Sequence, residues 1–175
     1  VHNAVDLDRF RIVREATERP RRALVYNRMA SARTLLGRAI VKAAELRGIE
    51  VDFSRSGEDL RTIRAPEDVL VDYDIVFASG KSAIDALACG CAVIVISGTA
   101  NGWAPAGLGD LVTPENFHGL RAANFAAPVN APPATASTVG AEMDKYDRQR
   151  VRDTSLIARS LTDLDEMVDR YLSIY

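Results

Sequence analysis

Cysteine is nearly absent from this chain: Cys89 and Cys91 are the only two in 175 residues. Two positions apart around Gly90, at an expected helix–strand junction, they are badly placed for an unstrained disulfide. No further Cys or His completes a metal set beside them, so they read as small apolar residues in a reduced compartment. Histidine is equally scarce, with His2 in the opening segment and His118 beside Phe117. No Ser-His-Asp constellation can be assembled from them. No apolar run approaches the length of a membrane span, and no signal peptide precedes the first strand. An excess of one charge is also missing: the net charge is −2, without a basic stripe or an aromatic-rich basic patch, which argues against nucleic acid as a partner. The short Arg19-Pro20-Arg21-Arg22 run reads as a solvated linker.

What is present is ordinary globular composition, 47% hydrophobic and 26% charged. A chain of this length buries roughly 70% of its unfolded surface, enough for a full core without disulfides or metal. It begins at Val1, in loop-like sequence, and reads as a piece of something longer. Residues 1–20 form a lead-in or interdomain linker, and residues 21–175 form one domain.

Strand and helix signals alternate through that domain. Arg22 to Tyr26 reads as a strand ending at Asn27-Arg28. Ser31 is placed to cap the next helix, where Leu36, Ala39, Ile40, Ala43 and Leu46 recur at helical spacing until Gly48. Ile49 to Phe53 is a second strand, with Ser54, Ser56 and Gly57 in its turn. Pro66 suits the first position of a short helix to Val71. The run from Asp74 to Ile96 then reads as a complete βαβ unit: buried strand, glycine-bearing turn, helix stopped by Gly90, buried strand. A glycine-rich loop (Ser97 to Asp110), a short strand Leu111-Val112 and a helix from Pro114 to about Asn124 follow. Ala126 to Gly140 reads as a long flexible or extended surface loop. Two helices close the chain, about Ala141 to Ser160 and Leu161 to Ile174, the last capped by Thr162 and carrying an apolar stripe of Leu164, Met167, Val168, Tyr171 and Leu172. The predicted fold is α/β, a Rossmann-like doubly wound parallel sheet of about five strands with C-terminal helices.

In such sheets ligands settle beyond the carboxyl ends of the strands, where the winding direction reverses. If the order reverses between the first strand and Ile75–Ala78, one loop of that crevice carries Asn27 and Arg28 and another carries Ser79, Gly80, Lys81 and Ser82. Ser97, Gly98 and Thr99 end the neighbouring strand on the same edge. Each has chemistry to offer. The glycine lets a phosphate approach the backbone, and the helix start contributes roughly 0.3–1 kcal/mol toward a bound anion, up to ~2 when partly buried. Arg28 can hold a phosphate bidentately. Asp85 can accept hydrogen bonds from a ribose diol, each worth about 1.5–3 kcal/mol. Plainer readings stand beside these: Lys81 and Asp85, four apart, pair on a helix surface for about 0.2–0.5 kcal/mol, and Ser79 or Ser82 serves as a cap. Gly80-Lys81-Ser82 echoes the end of a Walker loop, but the upstream glycine spacing is missing. A phosphate-plus-sugar ligand is the favoured expectation; a metal site is not expected, and no catalytic residue can be named.

Three ordered segments resemble the C-terminal half of GT-B-fold glycosyltransferases of the family 4 type. His2-Asn3-Ala4-Val5-Asp6-Leu7-Asp8-Arg9-Phe10 is similar to the family's "HNGVDLxRF" entry to its C-terminal domain. Ala23 to Arg28 resembles its first C-domain strand and Gly-Arg pair, and Ile84 to Ile94 resembles "LEAMACGxPVI". The resemblance implies a nucleotide-sugar donor as substrate and no separate cofactor. By it, Arg28 would hold the diphosphate, Asp85 would stand for the glutamate on the ribose, and Ser79 to Ser82 would lie against phosphates or sugar. It also implies a missing N-terminal acceptor domain. The reduced cysteines and the lack of a long apolar run give the expectation of a cytoplasmic location with no transmembrane segment, peripheral membrane association being left open. The chain departs from the pattern at Phe77, where the family has an earlier glutamate, at Asp85, whose side chain is one methylene shorter than the family's second glutamate, and in Met29 to Leu36, which lacks the usual lysine. Two rival expectations are a decayed or regulatory Rossmann-like interaction domain and half of a nucleotide-sugar epimerase.

Overall fold

A computed structural model describes residues 3–27, 30–54, 65–97, 107–128, 130–131 and 133–173. His2, Arg28, Ser56, Gly57, Gly98 and Thr99 lie outside the described residues. Five strands form one sheet: β1 (Arg22–Val25), β2 (Glu50–Phe53), β3 (Ile75–Ala78), β4 (Ala92–Ile96) and β5 (Leu108–Leu111), in the order β2-β1-β3-β4-β5. The first four pair in parallel, with Val25 opposite Phe53 on one side and Phe77 on the other. β5 joins antiparallel along β4, with an irregularity between Ile94 and Ile96. The expected sheet is present as a Rossmann-like doubly wound fold, and its last strand departs from the parallel expectation. It sits at Leu108–Leu111 rather than Leu111-Val112, because a short edge strand reached through a loop can turn back along its neighbour.

Both faces are covered, as the unbroken apolar strands require. Ala23, Val25, Ile75, Phe77, Ile94 and Ile96 point to a layer made by α1 (Leu35–Glu45) and α5 (Ala136–Met143). Leu24, Val76, Ala78, Val93 and Val95 point the opposite way, onto α2 (Pro66–Leu70), α3 (Gly80–Ala88), α4 (Phe117–Ala122) and α6 (Arg148–Thr162). Alternate residues of one strand thus feed two separate cores.

Several boundaries differ from the sequence expectation. Helix α1 is capped by Thr34, whose hydroxyl accepts from the Gly37 N–H at 3.0 Å, not by Ser31, whose carbonyl instead accepts from the Thr34 hydroxyl. The expected loop from Ala126 to Gly140 ends early: Thr135 and Thr138 form a reciprocal capping box that starts α5 at Ala136. Gly107 and Pro133 also form an isolated bridge, tying that stretch to the sheet edge. The two expected terminal helices are three, because the chain breaks at Tyr146-Asp147 and again at Asp163. Asp147 caps α6 and Asp163, rather than Thr162, caps α7 (Leu164–Leu172).

The lead-in is strapped down along α3 and α6. The Val5 N–H donates to Thr162 O at 2.8 Å, and the Leu164 N–H donates to Val5 O at 3.1 Å, which stitches the chain into the break between α6 and α7. Further along, Arg159 donates to the Phe10 and Ala88 carbonyls. At the start of β3, buried Asp74 accepts from Arg14, the Thr17 hydroxyl, and the backbone N–H groups of Arg21 and Arg22. One carboxylate therefore gathers the end of the lead-in and the start of β1.

Candidate functional site

The sheet order places the reversal of winding between β1 and β3. Their carboxyl ends lie side by side, and the Tyr26 N–H donates to Phe77 O at 2.9 Å. Asn27 follows on one side, and Ser79 and Gly80 follow on the other, so both turns leave the same edge of the sheet. Ser97 ends β4 on the same edge, but its hydroxyl is engaged: it accepts from the Gly107 N–H at 2.9 Å while the Ser97 N–H donates to Gly107 O. That exchange closes the β4–β5 loop and gives Ser97 a structural role.

At the turn itself, Gly80 has φ +55°, a left-handed conformation that a side chain disfavours. Ser79 is the extended N-cap of α3 but makes no side-chain capping bond, so the first turn keeps its donors from that hydroxyl. The glycine is needed for its backbone rather than for open space. A Cβ there would meet the Asn124 amide nitrogen at 3.7 Å, and the Gly80 N–H reaches Phe125 O at 3.4 Å. Asn124 and Phe125 both adopt positive φ, 53° and 49°, and Asn124 accepts from Asn3 at 2.7 Å. A turn after α4, pinned by the lead-in, thus roofs the start of α3.

Asp85 lies one turn further along α3 and is 6% exposed. Its carboxylate accepts from Lys81, the pairing that the four-residue spacing allows. Burial pushes the Asp85 carboxyl above its ordinary range, while Lys81 and Arg9 pull it back in part. Burial pushes the Tyr26 phenol up; the Asp85 charge adds to that, and the neighbouring Ser82 pulls it back in part. Glu67, at the start of α2, accepts from Arg9 Nε at 2.5 Å, and that bond holds it below the usual carboxylate range. Its second oxygen is buried without a partner among the described residues. Two cations lie near the Phe10 ring, Arg9 at 5.8 Å and Lys81 at 5.2 Å from its centre.

Of the expected site residues, Asn27 follows the end of β1 and Ser79 to Ser82 follow the adjacent end of β3, while Lys81 turns along α3 to Asp85. Tyr26, Arg9 and Glu67 were not singled out as site residues. Arg9 lies within the segment that resembles the family's entry motif, so a signal for it existed; Glu67 had none beyond its place at a helix start.

A cavity of about 720 Å³ opens at the other end of the domain, beside Gly90, between Ile12-Val13 and the α6 residues Arg148, Arg152 and Leu156. Among the described residues no group of three or more His, Cys, Asp and Glu could hold a metal ion, and no helix is long and apolar enough to cross a membrane.

The fold is a Rossmann-like α/β domain whose switch point lies between β1 and β3. No protein-family model, curated protein or solved structure matches the chain.

Proposed function

We propose that this chain is the nucleotide-sugar donor-binding half of a glycosyltransferase, which transfers a sugar from a nucleoside diphosphate to an acceptor held by a second domain. The observation that carries the reading is the meeting of the β1 and β3 ends at the switch point, with the Gly80 turn and the start of α3 beside Asn27. The Gly80 N–H is taken by Phe125 O, which leaves the following N–H groups of the first turn of α3 to favour a phosphate there. The hydroxyls and amides of Ser79, Ser82, Asn27 and Asn124 offer neutral hydrogen-bonding partners of the kind a sugar uses. The ordered resemblance of residues 2–10, 23–28 and 84–94 to the family 4 type points the same way. Basic side chains and fixed dipoles can offset the charge of a leaving diphosphate without a metal.

A second reading, a regulatory or interaction domain whose donor site has decayed, is favoured by one observation: Lys81 already occupies the Asp85 carboxylate. Titration with UDP-, GDP- and ADP-sugars separates the two. Binding of one nucleotide series, weakened in Asp85→Ala, supports the donor domain. Absence of binding to every nucleotide refutes it and leaves the interaction module.

A further inference from the structure

We propose that the turn Asn124-Phe125 is a strained flap latched over the Gly80 turn by Asn3, so that the lead-in sets whether the head of α3 is covered. The latch is a property of the fold and stands whether or not this edge of the sheet takes a nucleotide sugar.

The strain lies where the chain leaves α4. The Asn124 N–H donates to Arg121 O at 2.9 Å and the Phe125 N–H to Leu120 O at 2.7 Å, the bonding of a helix that ends through a left-handed residue. Asn124, at φ 53°, suits that position. Phe125, at φ 49°, does not, because a bulky side chain disfavours the left-handed region. Two contacts oppose the strain. The Phe125 ring is fully buried and meets Phe117 edge-on, their centroids 5.6 Å apart. The Phe125 carbonyl accepts from the Gly80 N–H, but at 3.4 Å that bond is longer than an ordinary N–H···O bond. The ring anchors the turn in the core. What covers Gly80 is the Phe125 carbonyl and the Asn124 side-chain amide, whose nitrogen stands 3.7 Å from where a Gly80 Cβ would lie.

The tie that holds this cover in place comes from the start of the chain. Asn3 Nδ2 donates to Asn124 Oδ1 at 2.7 Å, across 121 residues of sequence. Two residues further on, Val5 is stitched to Thr162 O and the Leu164 N–H at the α6–α7 break. Arg121, in α4, donates to Leu161 O at the same break, at 2.6 Å. The break therefore fixes both the lead-in and α4, and it presents Asn3 to Asn124. A short bond between two fixed elements thus restrains the turn that the long Gly80 bond holds weakly. Without it, strained backbone is left with that long bond alone over the head of α3.

Amide hydrogen exchange followed by NMR tests the latch on the unaltered protein, on Asn3→Ala and on Asn124→Gly. The second variant deletes the acceptor and keeps a residue at ease with positive φ. The unaltered protein is expected to protect the Gly80 amide. Each variant is expected to speed its exchange about three- to tenfold, as the loss of one hydrogen bond does, while the amides of Val76, Phe77 and Ile94 in the sheet keep their rates. Combining the two substitutions is expected to be no faster than the faster of them alone, because both remove one interaction. A Gly80 amide without protection in the unaltered protein overturns the latch, as does an unchanged rate in Asn3→Ala. Equal acceleration at Gly80 and across the sheet overturns it too, since that is general loosening. So does a double variant in which the two accelerations multiply.

Discussion

Replacing Asp74 by alanine gives the sharpest perturbation of this fold. The side chain is 4% exposed and accepts four hydrogen bonds, at 2.7 Å from Arg21 N, 3.0 Å from Arg22 N, 2.9 Å from Thr17 and 3.0 Å from Arg14. Its loss leaves two backbone donors and a guanidinium facing a space that had held their common acceptor. Breaking a buried ion pair from one side costs about 3–5 kcal/mol. The lower end applies here, because Arg14 is 35% exposed and can recover water. A loss of about 3 kcal/mol lowers the melting temperature of a domain this size by roughly 6–12 °C. Urea denaturation at neutral pH checks it. The pH dependence is a second, independent reading. Burial alone would raise the Asp74 carboxyl, but the bonds from Arg21, Arg22, Thr17 and Arg14 outweigh it and hold the group below its ordinary value. A carboxyl depressed in the folded state stabilises above its unfolded pKa of about 3.9, and that share is lost as pH falls through the folded value. The gap between protein and variant should therefore close on acidification. A neutral-pH loss under about 1 kcal/mol, or a gap that widens in acid, refutes the reasoning.

Asp85 has the opposite sign. Burial raises its carboxyl, so the folded state holds that proton more tightly and stability declines as pH rises through the folded value. Asp85→Asn is expected to change neutral-pH stability by less than about 1 kcal/mol in urea titrations, since its partner Lys81 is half exposed. Gly37→Ala should destabilise by about 1–3 kcal/mol in thermal melts, because the added Cβ would stand 1.9 Å from the Ser31 carbonyl oxygen and force the α1 entry loop to move. Both thiols should resist a thiol-reactive disulfide reagent at mildly alkaline pH until denaturant is added: burial pushes Cys89 up to about 12 and Cys91 higher still, and the Cys91 thiol donates to Leu70 O.

The strands of the sheet were legible because four of them carry apolar residues on every or nearly every inward position, and β3 and β4 are buried along their whole length. The reversal between β1 and β3 entered the sequence reading as a condition, because alternation of strands and helices leaves the strand order open; the order β2-β1-β3-β4-β5 meets it. β5 was misplaced because Leu108-Gly109-Asp110-Leu111 has too little periodicity to stand out after a glycine-rich stretch. Gly109 is there for packing: a Cβ would press on Val95 at 3.1 Å. The start of α5 was hidden because its capping box uses Thr138 where the sequence signature expects Glu or Gln. The turn into α3 was readable from local spacing, with Gly80 at positive φ where the glycine of the βαβ unit was expected. The Arg9–Glu67 pair was not, because it joins residues 58 apart whose meeting depends on how the lead-in runs over α2 and α3.

The most direct measurement is a backbone-amide NMR titration of isotope-labelled protein with uridine, guanosine and adenosine diphosphates. One nucleotide is expected to shift the amides of Asn27, Gly80, Lys81 and Ser82 together, in a saturable manner. Shifts confined to Ile12, Val13 and Leu156 at the far cavity, or none anywhere at saturating nucleotide, would contradict the switch-point crevice as the binding site.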